Sequence, residues 1–220
     1  MIRSSLLRAS AAIFALIVPS TVYAHHPLAG APMETFTHGL LSGVGHPLLG
    51  FDHLFFVLAI GVAAVFTARR YATPLAYIGA MLIGCLAMSY GVGLPAKELV
   101  IAASLVVLGA AVLRGKALGT LPAVALFAGF GLFHGSAFGD SIATQEAAMG
   151  AGVLVGYLIG LGVLQYAIAV GMGCLVTGFL KATEARDLRV RIGGAMVAGA
   201  GVFLALENLE GMAFSVLGIG

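Results

Sequence analysis

Charge is what this 220-residue chain lacks most. Charged residues make up 9% of it and hydrophobic residues 60%, whereas an ordinary soluble domain carries about 25% charged residues. Too few polar side chains remain to cover a water-facing surface, and the mean hydropathy of +1.08 agrees. Cysteine is scarce too: Cys85 and Cys174 both fall within apolar runs. Two isolated thiols exclude a disulfide framework or a CxxC site and read as small buried hydrophobes. The net charge of +2 comes from scattered basic residues, so there is no nucleic-acid footprint. A GxxxxGK phosphate loop, an HExxH motif and a Ser/His or Cys/His nucleophile arrangement are all missing. That removes ATP hydrolysis as a driving force and argues against an enzyme, and no resident cofactor is expected.

Long apolar runs are what the chain has instead. The first 24 residues have the form of a secretory signal: Arg3 and Arg8, the short apolar stretch "AAIFALIVP", then "VYA" before a cleavage point after Ala24. The alternative is an uncleaved first membrane helix. Residues 25–220 then form one transmembrane domain with a short extracytoplasmic N-terminal segment. Six apolar segments follow, near 47–67, 74–94, 98–114, 120–139, 148–179 and 192–216. A bilayer takes about 20 residues per helix, and only closed backbone hydrogen bonding survives in lipid. The expectation is an all-α integral membrane bundle of six helices.

Basic residues set the orientation. With the mature N-terminus outside, the cytoplasmic loops hold Arg69, Arg70, Arg114, Lys116, Lys181, Arg186, Arg189 and Arg191, and the outer loops only Lys97. This asymmetry follows the positive-inside rule and fits a multi-pass protein of the bacterial inner membrane with a periplasmic N-terminus. Gly152, Gly156 and Gly160 recur every fourth residue on the fifth segment, and Gly193 and Gly194 open the sixth. Small residues at such spacing let helices approach closely in lipid. The sequence admits a homo-oligomer without specifying one.

The few ionisable residues near the spans gather at the outer side. His46, Asp52 and His53 lie at the outer end of the first span, His134 and Asp140 near that of the fourth, and Glu207 and Glu210 near that of the sixth. Glu146 follows in a loop, and His25, His26 and His38 stand in the N-terminal segment. Charge at membrane depth costs roughly 2.5–3.5 kcal/mol on insertion scales, so such residues invite a functional reading. Imidazoles with carboxylates suit a borderline divalent metal arriving from outside. On a straight helix His46 and His53 share a face but stand about 10 Å apart, too far for one ion. His46 then receives the ion earlier or caps the helix, with Pro47 in the first turn. Plainer readings stand beside these: a capping His46, a structural Asp52–His53 pair, a core His134, solvated Asp140, Glu146 and Glu210, a structural Glu207, and ordinary exposed histidines at the N-terminus.

His46, "PLLGF", Asp52-His53 and the following "LFFVLAIG" resemble the first-span signature of the HupE/UreJ family, regarded as nickel or cobalt permeases. The family's second signature is roughly Phe-His-Gly-x-Ala/Val-His-Gly-x-Glu. Here it reads "FHGSAFGDS", Phe133 to Ser141. Phe138 stands in place of the second histidine and Ser141 in place of the glutamate, with Asp140 one residue earlier. The resemblance carries a permease role onto His46, Asp52, His53 and His134, but not onto Phe138 or Ser141.

Together these readings describe a permease taking up a divalent transition metal ion, nickel or cobalt, across the inner membrane. The expected metal residues are His46, Asp52, His53, His134, Asp140, Glu207, His25 and His26, and the partners are the ion and the lipid bilayer. The alternative is a non-transporting metal-binding or accessory membrane protein.

Overall fold

In a computed structural model, residues 33–143 and 150–218 are described. They are all-α, with no strand among them. The helices are α1 (Phe36–Leu49), α2 (Phe51–Ala64), α3 (Thr73–Ser89), α4 (Lys97–Leu113), α5 (Thr120–Ala143), α6 (Ala151–Cys174) and α7 (Leu188–Leu217). A π-helical turn, Leu175–Phe179, extends α6.

Local chemistry explains several of the ends. Thr35 caps α1 by accepting from the His38 amide, and Asp187 caps α7 by accepting from the Arg189 amide. Both satisfy amides that a helix start leaves without partners. Pro74 occupies the first turn of α3, where its missing N–H costs nothing. Gly218 closes α7 in the left-handed conformation.

The first expected span is not one straight helix. α1 and α2 meet at an 83° bend, with Gly50 extended between them at φ −88° and ψ 96°. His46 therefore lies in the last turn of α1, and Pro47 lies inside that helix rather than opening the next. The elbow also means that the straight-helix spacing of His46 and His53 does not apply. Residues 36–46, expected as part of an extracytoplasmic segment, are helical because their glycines pack against α6. A Cβ on Gly39 or Gly43 would collide with the carbonyl oxygens of Val153 and Tyr157. Reciprocally, one on Gly156 or Gly160 would strike those of Phe36 and Leu40.

Two further pairs close in the same way. Gly84 and Gly135 bring α3 and α5 into backbone contact, and Gly109, Gly194 and Gly201 do so for α4 and α7. Gly152 and Gly193, grouped with these by spacing alone, face open space. The three pairs surround α2, which touches all six other helices. It buries Phe56, Val57, Ile60 and Ala64 among its neighbours. Cys85 is buried as expected; Cys174, on the outer face where α6 ends, is exposed.

Among the described residues, three helices are long and apolar enough to cross a bilayer: Thr120–Asp140 of α5, α6 with its π turn, and α7. The bent α1–α2 pair is a fourth if it counts as one broken span. The shortfall against six has a simple origin. α3 and α4 have 17 residues each, or about 25 Å at 1.5 Å per residue, against a hydrocarbon thickness of about 30 Å.

Candidate metal centre

Successive residues on a helix diverge by about 100°, so Asp52 and His53 in the first turn of α2 face different surroundings. His53 turns inward and is 6% exposed. Its Nδ1 lies 2.8 Å from Nδ1 of His134, which α5 brings to the core fully buried. The second nitrogen of His134, Nε2, is 2.9 Å from Oγ of Ser104 on α4. Ser104 in turn donates its hydroxyl to the Ile101 carbonyl, 2.6 Å away. Three helices are thereby tied through two imidazoles and one hydroxyl.

Aromatic rings wall this chain of bonds. Phe56 stacks on His134 at 4.4 Å with 17° between the planes. Phe138 lies 4.1 Å from the His53 ring, and His46 meets it edge-on at 5.2 Å. The Tyr157 hydroxyl stands 3.3 Å from His46 Nδ1 and donates to the Phe138 carbonyl. Below the histidine pair, Tyr77 donates to Gln165 Oε1 at 2.7 Å, and Gln165 Nε2 reaches the Met81 sulfur at 3.7 Å. No buried side-chain nitrogen or oxygen among the described residues lacks a partner.

Asp52 turns the other way, into a cleft of about 750 Å³ between α2, α4 and α7. Glu98, Glu207 and Asn208 share its walls. Asp52 Oδ2 remains 3.9 Å from His53 Nε2, so the carboxylate joins the cleft to the buried histidines. The charges of Asp52, Asp140 and Lys97 all act on Glu98. Asp140 is ion-paired with Lys97.

The expected site residues thus divide into separate places. His53 and His134 are bonded to each other, Asp52 stands beside them, and Glu207 lines the cleft that Asp52 enters. His46 and His53 each contact the Phe138 ring. Glu210 is exposed and does not line the cleft. His38 serves the start of α1, its Nδ1 accepting from the Glu34 amide at 3.3 Å. His25, His26 and Glu146 lie outside the described residues. Among the described residues no three His, Cys, Asp or Glu side chains converge in a group that could hold a metal ion.

Sequence reading missed Glu98 and Ser104. Glu98 sits in the first turn of an apolar helix at the same end as Asp140, a position that could have marked it. Ser104 is a lone hydroxyl in an apolar run, and nothing in the pattern around it signals a histidine partner.

The family model for HupE / UreJ protein matches residues 13–204. The chain belongs to the HupE/UreJ family. Its members are transport or accessory proteins rather than enzymes. A relative named Protein HupE, from Rhizobium leguminosarum bv. viciae, is 30% identical over 193 residues, covering 86% of this chain and 93% of the relative. No solved structure matches. Both histidines of the bonded pair, and Asp52 beside them, fall within the matched region.

Proposed function

We propose that this member of the HupE/UreJ family is a permease that carries a divalent transition metal ion, nickel or cobalt, into the cell. The observation that carries the reading is Asp52: it connects a carboxylate-walled cleft to a buried, mutually bonded histidine pair. Ionisable groups at such depth are expensive, and a borderline metal suits imidazole with carboxylate better than a hard cation would.

In this reading six segments cross the bacterial inner membrane: the bent α1–α2 pair as one, then α3 to α7. The two 17-residue helices cross with little tilt or with local thinning of the bilayer. Residues 1–24 are removed, and the mature N-terminus faces the periplasm. His25, His26 and His46 collect the ion, and the cleft carboxylates Asp52, Glu98 and Glu207 draw it inward. His53 binds it as it loses hydration, with His134 behind. Lys97, ion-paired with Asp140, offsets part of the negative charge at the cleft, so that the ion is not retained. Entry demands binding, and exit demands that the binding be weak.

The test is metal content, measured by mass spectrometry, in cells stripped of their own high-affinity nickel and cobalt uptake. Wild type should accumulate one of these metals, and His53→Ala and the empty vector should not. Equal metal in wild type and vector would end the permease reading. One observation favours a second reading, a metal-binding or accessory protein without transport. The core beneath the histidine pair is filled by Phe56, Tyr77 and Gln165. Metal bound by the purified protein without cellular accumulation would support that role.

A further inference from the structure

We propose that the ion path continues past the histidine pair along the buried face of α3, and that Tyr77 and Gln165 form its inner gate. The gate is closed while the two are bonded to each other and selects the ion when they part. This inference rests on the permease reading above, which stops at the histidines.

Thr73, Tyr77, Met81 and Cys85 recur every fourth residue on α3, so they share one face at steps of about 6 Å. All four are buried, none more than 1% exposed. The stripe passes His134, whose ring meets the Tyr77 ring edge-on at 5.8 Å. It ends at Thr73, shortly after Arg69 and Arg70 in the chain. There Thr73 Oγ1 lies 3.3 Å from Thr67 Oγ1, and Thr67 donates to the Ala64 carbonyl at 2.7 Å. Buried hydroxyls are costly without partners, yet they mark a line from the histidine level to the end of the bundle that carries those arginines.

One side chain closes this line. Gln165 is the lone amide in the apolar α6 and is fully buried. It accepts from the Tyr77 hydroxyl at 2.7 Å and reaches the Met81 sulfur through Nε2 at 3.7 Å, so it bridges two steps of the stripe. A neutral hydrogen bond of this kind is modest in net strength. Once parted, the Tyr77 hydroxyl and Gln165 Oε1 offer two oxygens in place of water, with the Met81 thioether beside them. A borderline metal accepts such a mixed set, whereas a hard cation such as magnesium gives up its water reluctantly.

The bond also sits where it can open. It crosses from α3 to α6, which are not locked backbone to backbone. The nearest atoms to a Cβ on Gly162 of α6 are side-chain carbons of Leu82 and Ile78, in ordinary contact at 3.4 and 3.5 Å. On its outer side this boundary is an apolar groove of about 410 Å³, lined by Leu75, Leu82, Leu158 and Val163 among others. α3 can part from α6 here without a collision of carbonyls, and parting breaks the bond.

The test compares wild type, Tyr77→Phe and Tyr77→Phe/Gln165→Leu at matched membrane expression, in cells stripped of their own nickel and cobalt uptake. Cellular nickel and manganese are read by mass spectrometry, and nickel binding by calorimetry on the purified proteins. The double variant seals the line with apolar groups and orphans neither partner. It should bind nickel as wild type does, while its cells hold no more nickel than those with empty vector. Tyr77→Phe unlatches the gate: its cells should accumulate nickel at least as fast as wild type and, unlike wild type, manganese as well. Nickel accumulation by the double variant at the wild-type level would overturn the gate and leave the permease reading standing. Manganese still excluded by Tyr77→Phe would do the same. Should the double variant fail to fold or to bind nickel, Tyr77→Phe, which loses a single hydroxyl, decides alone. No nickel above the vector in wild type itself would remove the permease reading, and the gate with it.

Discussion

The Phe138 ring contacts both His46 and His53. Its ring lies 4.1 Å from the one at His53 and 5.2 Å from the one at His46, and it stands at the position where the family's second signature has a histidine. A Phe138→His variant would set a third imidazole beside two existing ones. Nickel should bind the purified variant more tightly than wild type by calorimetric titration, by about tenfold or more, and cellular uptake should slow because release is impeded. Affinity equal to that of wild type would mean that the ring at 138 has no part in the site.

The bond from Tyr77 to Gln165 is buried completely on both sides. Tyr77→Phe removes the donor and leaves Gln165 Oε1 desolvated and unpaired, which costs about 1–3 kcal/mol. Thermal unfolding in detergent should show the loss. The double variant Tyr77→Phe/Gln165→Leu should lose less than the sum of the singles, since it removes the orphaned acceptor.

At the α1–α6 contact the facing carbonyl of Leu40 leaves no space for a side chain on Gly160. Gly160→Leu should destabilise the protein by about 1–3 kcal/mol or more, the range for overpacking. The same change at Gly152, which faces open space, should leave the melting temperature within a degree or two. Equal melting of the two variants would contradict the pairing.

Asp187 caps α7 from outside the membrane-spanning part of the chain. The side chain and amide of Arg189 bond to its carboxylate and hold it below the ordinary value of 3.8. A depressed carboxyl contributes stability that is complete above that value and lost as the pH falls below it. Amide exchange in the first turn of α7 should therefore quicken selectively under acid, and Asp187→Ala should show the faster exchange already at neutral pH. Identical exchange in the two proteins at pH 7 would exclude the cap.

Composition and apolar runs made the all-α class and the membrane setting legible, because both depend on residue type summed over long windows. The Gly156–Gly160 stripe was legible as packing for the same reason. The elbow at Gly50 was not: a single glycine within "HPLLGFDH" has no periodic signature, and its meaning appears only with its neighbours. A Cβ there would lie 3.0 Å from His53 Cδ2 and 3.3 Å from Asp52 Oδ1. His53 and His134 could be named from their depth in apolar runs, but not their mutual bond, which joins positions 81 residues apart. Ser104 escaped notice because a hydroxyl in an apolar helix ordinarily bonds its own preceding turn, as this one also does.

Three helix pairs locked backbone to backbone around α2 have a mechanical consequence. Within a pair there is no slack: the chains already touch, and sliding one past the other drives carbonyls into carbonyls. Outside the pairs, α2 is held the same way to α6, where a Cβ on Gly61 would strike the Ala169 carbonyl; the freedom that remains lies where units meet through side chains. The relay from Ser104 through His134 to His53 runs across that looser ground, spanning the α4–α7 unit, the α3–α5 unit and the central rod. Any rocking of one unit against another is then felt first at the histidines, as a stretch in a hydrogen bond only 2.8 Å long.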